Sequence, residues 1–341
     1  MLKKIFIRLI ILATMLVVFN FIYAKWFYEN DLKKHAKIIN LVSVIPNNAD
    51  IIYIGESSNI TYREDDLDKR AISEFVGDFY QELKLYDITK PASHAGVYKK
   101  LLELIPQENH VESIVVTLNL RSFNAQWINS DLEAALQKSF VLIQSYPPLF
   151  NRFMLSFKNY DNRSETMRSD DIHKKWSKDK FIMPDNFQFR NVIEWDYWMA
   201  NNDMYDKVKS DLACHYIKTY GFQIDFENNP RIKDFNAIVT LAKERNWNLV
   251  FNLLAENTQK ADDLVGEDLI FMMNQNAEKL INYYEDKGVT VINNLNNVDD
   301  EQFIDQDWTT EHYAEKGRKI VAKNVAEGLK KWHRKDFKSV E

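Results

Sequence analysis

The stretch Asp50-Ile51-Ile52-Tyr53-Ile54-Gly55-Glu56-Ser57-Ser58-Asn59 decides the fold. An apolar run with no polar alternation stops abruptly at Gly-Glu-Ser. Such a run, bounded by turn residues, predicts a strand buried on both faces, as in a parallel sheet. The glycine lets the chain turn and leaves a serine at the strand's carboxyl end, where open α/β sheets keep their ligands. A Gly-Glu-Ser triplet alone is a weak signal. A second stretch gives it weight: Asp305-Gln306-Asp307-Trp308-Thr309-Thr310-Glu311-His312-Tyr313, just before the last helical pattern.

Working outward, residues 71–83 carry Ile72, Phe75, Val76, Phe79 and Leu83 at helical spacing. Residues 85–88 predict a second strand and 97–105 a helix. Ser113-Ile114-Val115-Val116-Thr117-Leu118 predicts a third strand ending at Asn119, and residues 130–143 a further helix. Residues 150–235 break the rhythm and predict a largely helical insertion whose aromatics form a local core. Strands at 248–254 and 289–292, and helices at 267–287 and 314–332, complete an α/β domain over residues 49–335. Alternating strands and helices imply a mostly parallel five-stranded sheet.

At the N-terminus, Met1-Leu2-Lys3-Lys4 precedes an apolar run from Ile5 to Ala24, interrupted by Arg8 and Asn20. Residues 1–28 predict an uncleaved membrane anchor, with Trp26, Phe27 and Tyr28 at the far interface and Lys3, Lys4 and Arg8 in the cytoplasm. Ile22 stands where a cleavable signal peptide wants a small residue before a cut at Ala24. Residues 29–48 form a partly helical connector, and the rest faces the periplasm or the exterior.

The net charge of -6 gives no reason to expect nucleic acid. A single cysteine, Cys214, excludes an internal disulfide framework and Cys-based zinc sites. No spacing of metal ligands stands out, so neither metal nor cofactor is expected.

Ser57, Gly96 in Ser93-His94-Ala95-Gly96, Asn119 in Thr117-Leu118-Asn119-Leu120, and His312 in Thr309-Thr310-Glu311-His312 occur in an order that resembles the SGNH (GDSL-like) hydrolase superfamily. The resemblance covers about residues 50–143 and 245–330. It departs from the family pattern at Glu56, which replaces Asp, in the third block, which lacks its glycine, and at Thr309, which stands at the usual acid position. It implies a flavodoxin-like three-layer sandwich with strand order 2-1-3-4-5. It also implies a Ser57 nucleophile, a His312 base, and an oxyanion hole from the Ser57 and Gly96 N–H groups and the Asn119 amide. Asp307 is the first choice to orient His312, with Asp305 and Glu311 as alternatives. Asn124 rivals Asn119, and His94 reads as structural or substrate-facing.

An anchored, outward-facing domain of this kind is similar in layout to the D-alanyl transfer protein of lipoteichoic acid synthesis and to alginate O-acetylation proteins. That likeness implies a serine esterase or O-acyltransferase acting on acylated sugar of a bacterial cell envelope, at the inner membrane beside a membrane-bound O-acyltransferase. The departures leave a second expectation, a catalytically silent glycan-binding or scaffold protein. A third is a lipase or thioesterase acting on membrane lipid.

Overall fold

A computed structural model describes residues 2–183, 187–202 and 205–339. Met1 of the expected anchor, and residues 184–186 and 203–204 of the expected insertion, lie outside the described residues. The chain divides into two compact units, one of residues 45–129 and 169–341, the other of residues 1–44 and 130–168.

The larger unit is built on five parallel strands: β1 (Ile51–Gly55), β2 (Leu85–Thr89), β3 (Ser113–Leu118), β4 (Asn248–Leu253) and β5 (Thr290–Asn293). Their order is β2-β1-β3-β4-β5, as expected. The period of two along a strand explains why β1 shows no alternation. Ile51 and Tyr53 join Val115 and Val250 under the Ile72–Asp78 and Glu315–His333 helices. The opposite face is covered too: Phe251 packs on Phe235 of the Pro230–Arg245 helix at 5.0 Å and on Tyr284 of the Glu267–Glu285 helix at 4.9 Å between ring centroids. With both faces covered, every residue of β1 and β3 is buried.

Two boundaries differ from expectation. The first helix stops at Asp78 rather than Leu83. Phe79, Tyr80 and Leu83 keep apolar contacts from a series of turns, with Tyr80 donating to the Ala326 carbonyl at 2.7 Å. The helix expected at residues 130–143 forms, as Leu132–Leu142, but it is not the one that leads into β4. The Leu132–Leu142 helix belongs to the smaller unit, and the Pro230–Arg245 helix leads into β4 and packs on the Ala95–Glu103 helix. The expected insertion at 150–235 is therefore shared: its part up to Arg168 lies in the smaller unit and the remainder in the α/β unit. In the latter, Phe181, Phe187, Phe189 and Trp195 pack ring on ring.

The smaller unit holds the Leu2–Trp26 helix, long and apolar enough to cross a membrane. Two short helices, Tyr28–His35 and Lys37–Ser43, fill the expected connector. The Tyr28 hydroxyl donates to the Leu142 carbonyl at 3.0 Å, which ties the connector to the Leu132–Leu142 helix.

Candidate active site

Where β1 ends, the chain turns through Glu56 into a single helical turn, Ser57–Ile60. Glu56 caps that turn: its Oε1 accepts the Ser58 N–H at 3.2 Å. A side chain at Gly55 would place its Cβ 2.9 Å from Asn59 Cβ, so the turn admits only glycine there without displacement. Ser57 emerges half-buried at the carboxyl edge of the sheet. On the neighbouring strand Ile54 pairs with Val116, so Ser57 and Asn119 each stand three residues beyond the last shared rung.

The histidine arrives on a hairpin. Phe303 and Tyr313 form an antiparallel bridge, and the Ile304 N–H donates to the His312 carbonyl at 2.9 Å. In this register Asp305 stands opposite Glu311, next to His312. Asp307 falls at the exposed tip. His312 Nδ1 meets Asp305 Oδ2 at 2.6 Å, and His312 Nε2 meets Ser57 Oγ at 2.9 Å. A carboxylate can only accept, so Nδ1 carries the proton and Nε2 offers its lone pair to the serine hydroxyl. Thr310 Oγ1 donates to the same Asp305 oxygen and fixes it from behind. Of the expected orienters, the alternative Asp305 and not the first choice Asp307 meets the ring, because the hairpin folds the earlier aspartate back onto it.

Three further expectations change. The Gly96 N–H is taken up by His94 Nδ1 at 3.1 Å, and a Cβ at Gly96 would stand 2.8 Å from Asp234 Oδ2. Its position is one of close helix packing beside an N-cap, not of a free donor at the serine. His94 is that N-cap. Asn124 is occupied structurally: its amide bonds the Thr219 carbonyl at 2.7 Å and its oxygen caps Gln126 at 2.7 Å. Asn119 is buried, and its side-chain oxygen has no hydrogen-bond partner among the described residues. Glu311, the other alternative acid, turns away from His312 into the interior.

The interior it enters was not anticipated. Arg121, two residues past Asn119, is buried and bonds both Glu311 Oε2 and the Thr309 carbonyl at 2.5 Å, so it clamps the hairpin from below. Its guanidinium also stacks over Trp127 at 4.6 Å. Glu256, three residues past the end of β4, is fully buried and accepts from the Tyr220 hydroxyl. Burial, and then the charge of Glu311, push Glu256 well above the usual carboxylate range. Thr309 Oγ1 bonds His215 Nε2 at 2.8 Å, and His215 stacks on Trp308 at 3.8 Å. Burial, with Lys218 and Arg121 nearby, lowers His215 to about 4. The signal available in the sequence was Arg121 itself, a charge set directly behind an otherwise apolar strand.

The two halves of the site are 255 residues apart in sequence. Buried Arg318, in the first turn of the Glu315–His333 helix, joins them: it donates to Asp66 Oδ2 at 2.9 Å and to the carbonyls of Asp68 at 2.6 Å and Tyr313 at 2.8 Å. It thereby ties the loop after Ser57 to the hairpin of His312. No cluster of three metal-ligating side chains occurs among the described residues.

No protein-family model matches the chain, and no curated protein matches it. Among solved structures, it is similar to one described as a GDSL-like lipase from Parabacteroides merdae, with 11% identity over 82% of this chain and 95% of that one and a TM-score of 0.38. Another, described as a GDSL-like lipase from Bacteroides thetaiotaomicron, is 8% identical over 89% of this chain and 98% of that one, with a TM-score of 0.34. Likeness this remote carries no residue role across. The chain itself has an α/β fold on a five-stranded parallel sheet, with a serine, a histidine and an aspartate in hydrogen-bonded sequence at its carboxyl edge.

Proposed function

We propose that this chain is a membrane-anchored, outward-facing serine esterase or O-acyltransferase that acts on acylated carbohydrate of a bacterial cell envelope. The observation that carries the catalytic part is the continuous line from Asp305 through His312 to Ser57. The Leu2–Trp26 helix, and the layout it shares with envelope acylation proteins, support the setting and the substrate class. A membrane-bound O-acyltransferase is the expected partner.

In this reading Ser57 Oγ attacks the ester carbonyl as its proton passes to His312 Nε2, and Asp305 stabilises the imidazolium. The ester C–O bond breaks, and the departing alkoxide takes that proton. A sugar hydroxyl or water then gives its proton to His312 as its oxygen bonds the acyl carbon, and the proton passes to Ser57 Oγ as the acyl–serine C–O bond breaks. The Ser57 N–H is the first amide of its helical turn, so no earlier residue of that turn can accept it. Together with the Asn119 side chain it would receive the oxyanion, each such donor contributing about 3 kcal/mol to the transition state.

One feature favours a silent glycan-binding or scaffold protein instead. Glu56 Oε2 lies 3.1 Å from Ser57 Oγ and competes for its single proton. Turnover of aryl acetates and of acetylated oligosaccharides by the full chain in detergent decides between the two readings. Hydrolysis or transfer that is lost in Ser57→Ala supports the enzyme, and acetyl preference over long acyl chains supports the carbohydrate ester over a lipid. Turnover that Ser57→Ala does not reduce, or none at all, supports the scaffold.

A further inference from the structure

In the smaller unit, the Pro148–Ser156 helix packs against the Leu2–Trp26 helix with its amphipathicity reversed. Asn151 is the buried residue of this helix, and Arg152, though exposed, is paired. Asn151 donates to the Gln144 carbonyl at 2.8 Å and the Leu142 carbonyl at 3.3 Å, and Arg152 reaches Asp31 at 3.4 Å. Aromatic residues on the helix and at its two ends face out: Phe150 and Phe153 within it, Tyr146 before it and Phe157 just after it are between 43% and 61% exposed. Within the stripe, Tyr146 meets Phe150 at 5.4 Å and Phe153 meets Phe157 at 4.8 Å. Single exposed apolar residues are ordinary on a protein in water, whereas a contiguous stripe marks a surface that something covers.

The place where this helix meets the apolar one says what covers it. Residues 2–19 of the long helix are open, and cover begins at Asn20, Ile22 and Tyr23. Asn20 is the one uncharged polar amide in the apolar run, and its Oδ1 accepts the Leu149 N–H at 2.9 Å. Leu149 belongs to the first turn of its helix, whose N–H groups have no partner within the helix. Each group thus satisfies the other, as a polar pair in hydrocarbon must. At 1.5 Å per residue, Asn20 stands about 22 Å from Ile5 along the axis, inside a hydrocarbon core of about 30 Å.

From these placements we infer that the Pro148–Ser156 helix is a second membrane element, lying in the leaflet that the carboxyl end of the anchor reaches, with Phe150, Phe153 and Phe157 against lipid and Tyr146 near the interface. Aromatic residues are favoured at that depth. The occupant of the stripe is acyl chain, not another protein.

The test is site-directed spin labelling of the full chain in phosphatidylcholine–phosphatidylglycerol vesicles, with Cys214→Ala as background because Cys214 is buried. Nitroxides replace Leu12, Phe150, Phe153, Phe157 and Met167, one at a time, and their accessibility to oxygen and to a water-soluble nickel chelate is measured. Met167, in the part of the Glu165–Lys178 helix that belongs to the smaller unit, is exposed and serves as the aqueous reference. The expected result is that positions 150, 153 and 157 resemble position 12, rich in oxygen and shielded from nickel. If position 12 is lipid-exposed while 150, 153 and 157 resemble 167, the inference is overturned and the stripe is left for a protein partner. If position 12 is aqueous, the anchor fails and the inference fails with it. Where a label disturbs folding, photo-crosslinking from p-benzoyl-phenylalanine at position 153 gives a second readout. Adducts with lipid acyl chains support the inference, and their absence contradicts it.

Discussion

His312 has two aspartates within reach along the chain, and only one can hold its Nδ1–H. The hairpin register gives that place to Asp305, 2.6 Å away, and leaves Asp307 exposed at the tip. Asp305→Asn should lower kcat about 10⁴-fold, as expected when the base loses the carboxylate that sets its tautomer. Asp307→Asn should leave kcat unchanged, and steady-state kinetics on an aryl acetate separates the two. Ser57 and His312 were legible in the sequence because a serine after an apolar run and a histidine before a terminal helix are local signals. Asp305 was visible only as an alternative to Asp307, because the choice between them depends on which backbone groups close the hairpin. Arg121 was harder still, since a buried charge announces itself only through its partner. Removing that charge leaves Glu311 buried and uncompensated, so Arg121→Met should cost about 3–5 kcal/mol in denaturant unfolding. The double variant Arg121→Met/Glu311→Leu should recover most of that loss, because no charge is then left unpaired.

At the scale of elements, β1, β3 and β4 were readable because burial on both faces erases alternation, and short apolar runs ending in turn residues remain. The helix between β3 and β4 was not. Residues 130–143 and 230–245 are both apolar at helical spacing, and only tertiary contacts reveal that the latter packs beside the Ala95–Glu103 helix. The last helix carries a steric constraint that propensity alone would misjudge. At Gly317 a Cβ would stand 2.9 Å from Tyr313 Cβ and 3.1 Å from Val298 Cγ1. Alanine is favoured over glycine in helix interiors by about 1 kcal/mol. Overpacking typically costs about 1–3 kcal/mol. Gly317→Ala should therefore destabilise the protein in thermal unfolding, and should also lower kcat, because Tyr313 directly follows His312.

For the whole molecule, the ground beneath the site should make stability depend on pH. His215 is lowered from its ordinary 6.5 to about 4, chiefly by burial. Between those values the unfolded chain binds the proton and the folded chain does not, so stability rises with pH through that window and is lost as pH falls toward 4. The difference in Tm between the wild type and His215→Gln, followed from pH 4 to pH 7, isolates this contribution. The wild type should lose more stability than the variant on acidification. Glu256, raised by burial and by Glu311, contributes with the opposite sign: its stabilising share is complete at low pH and is lost as pH rises toward its folded value. The central claim is narrower than any of these. It is that the hydroxyl 2.9 Å from His312 Nε2 is an activated nucleophile. Reaction of the full chain with a fluorophosphonate, followed by peptide mass mapping, tests it directly. The account predicts one adduct, on Ser57, absent from both Ser57→Ala and His312→Ala; an unmodified Ser57, or labelling that persists without His312, would contradict it.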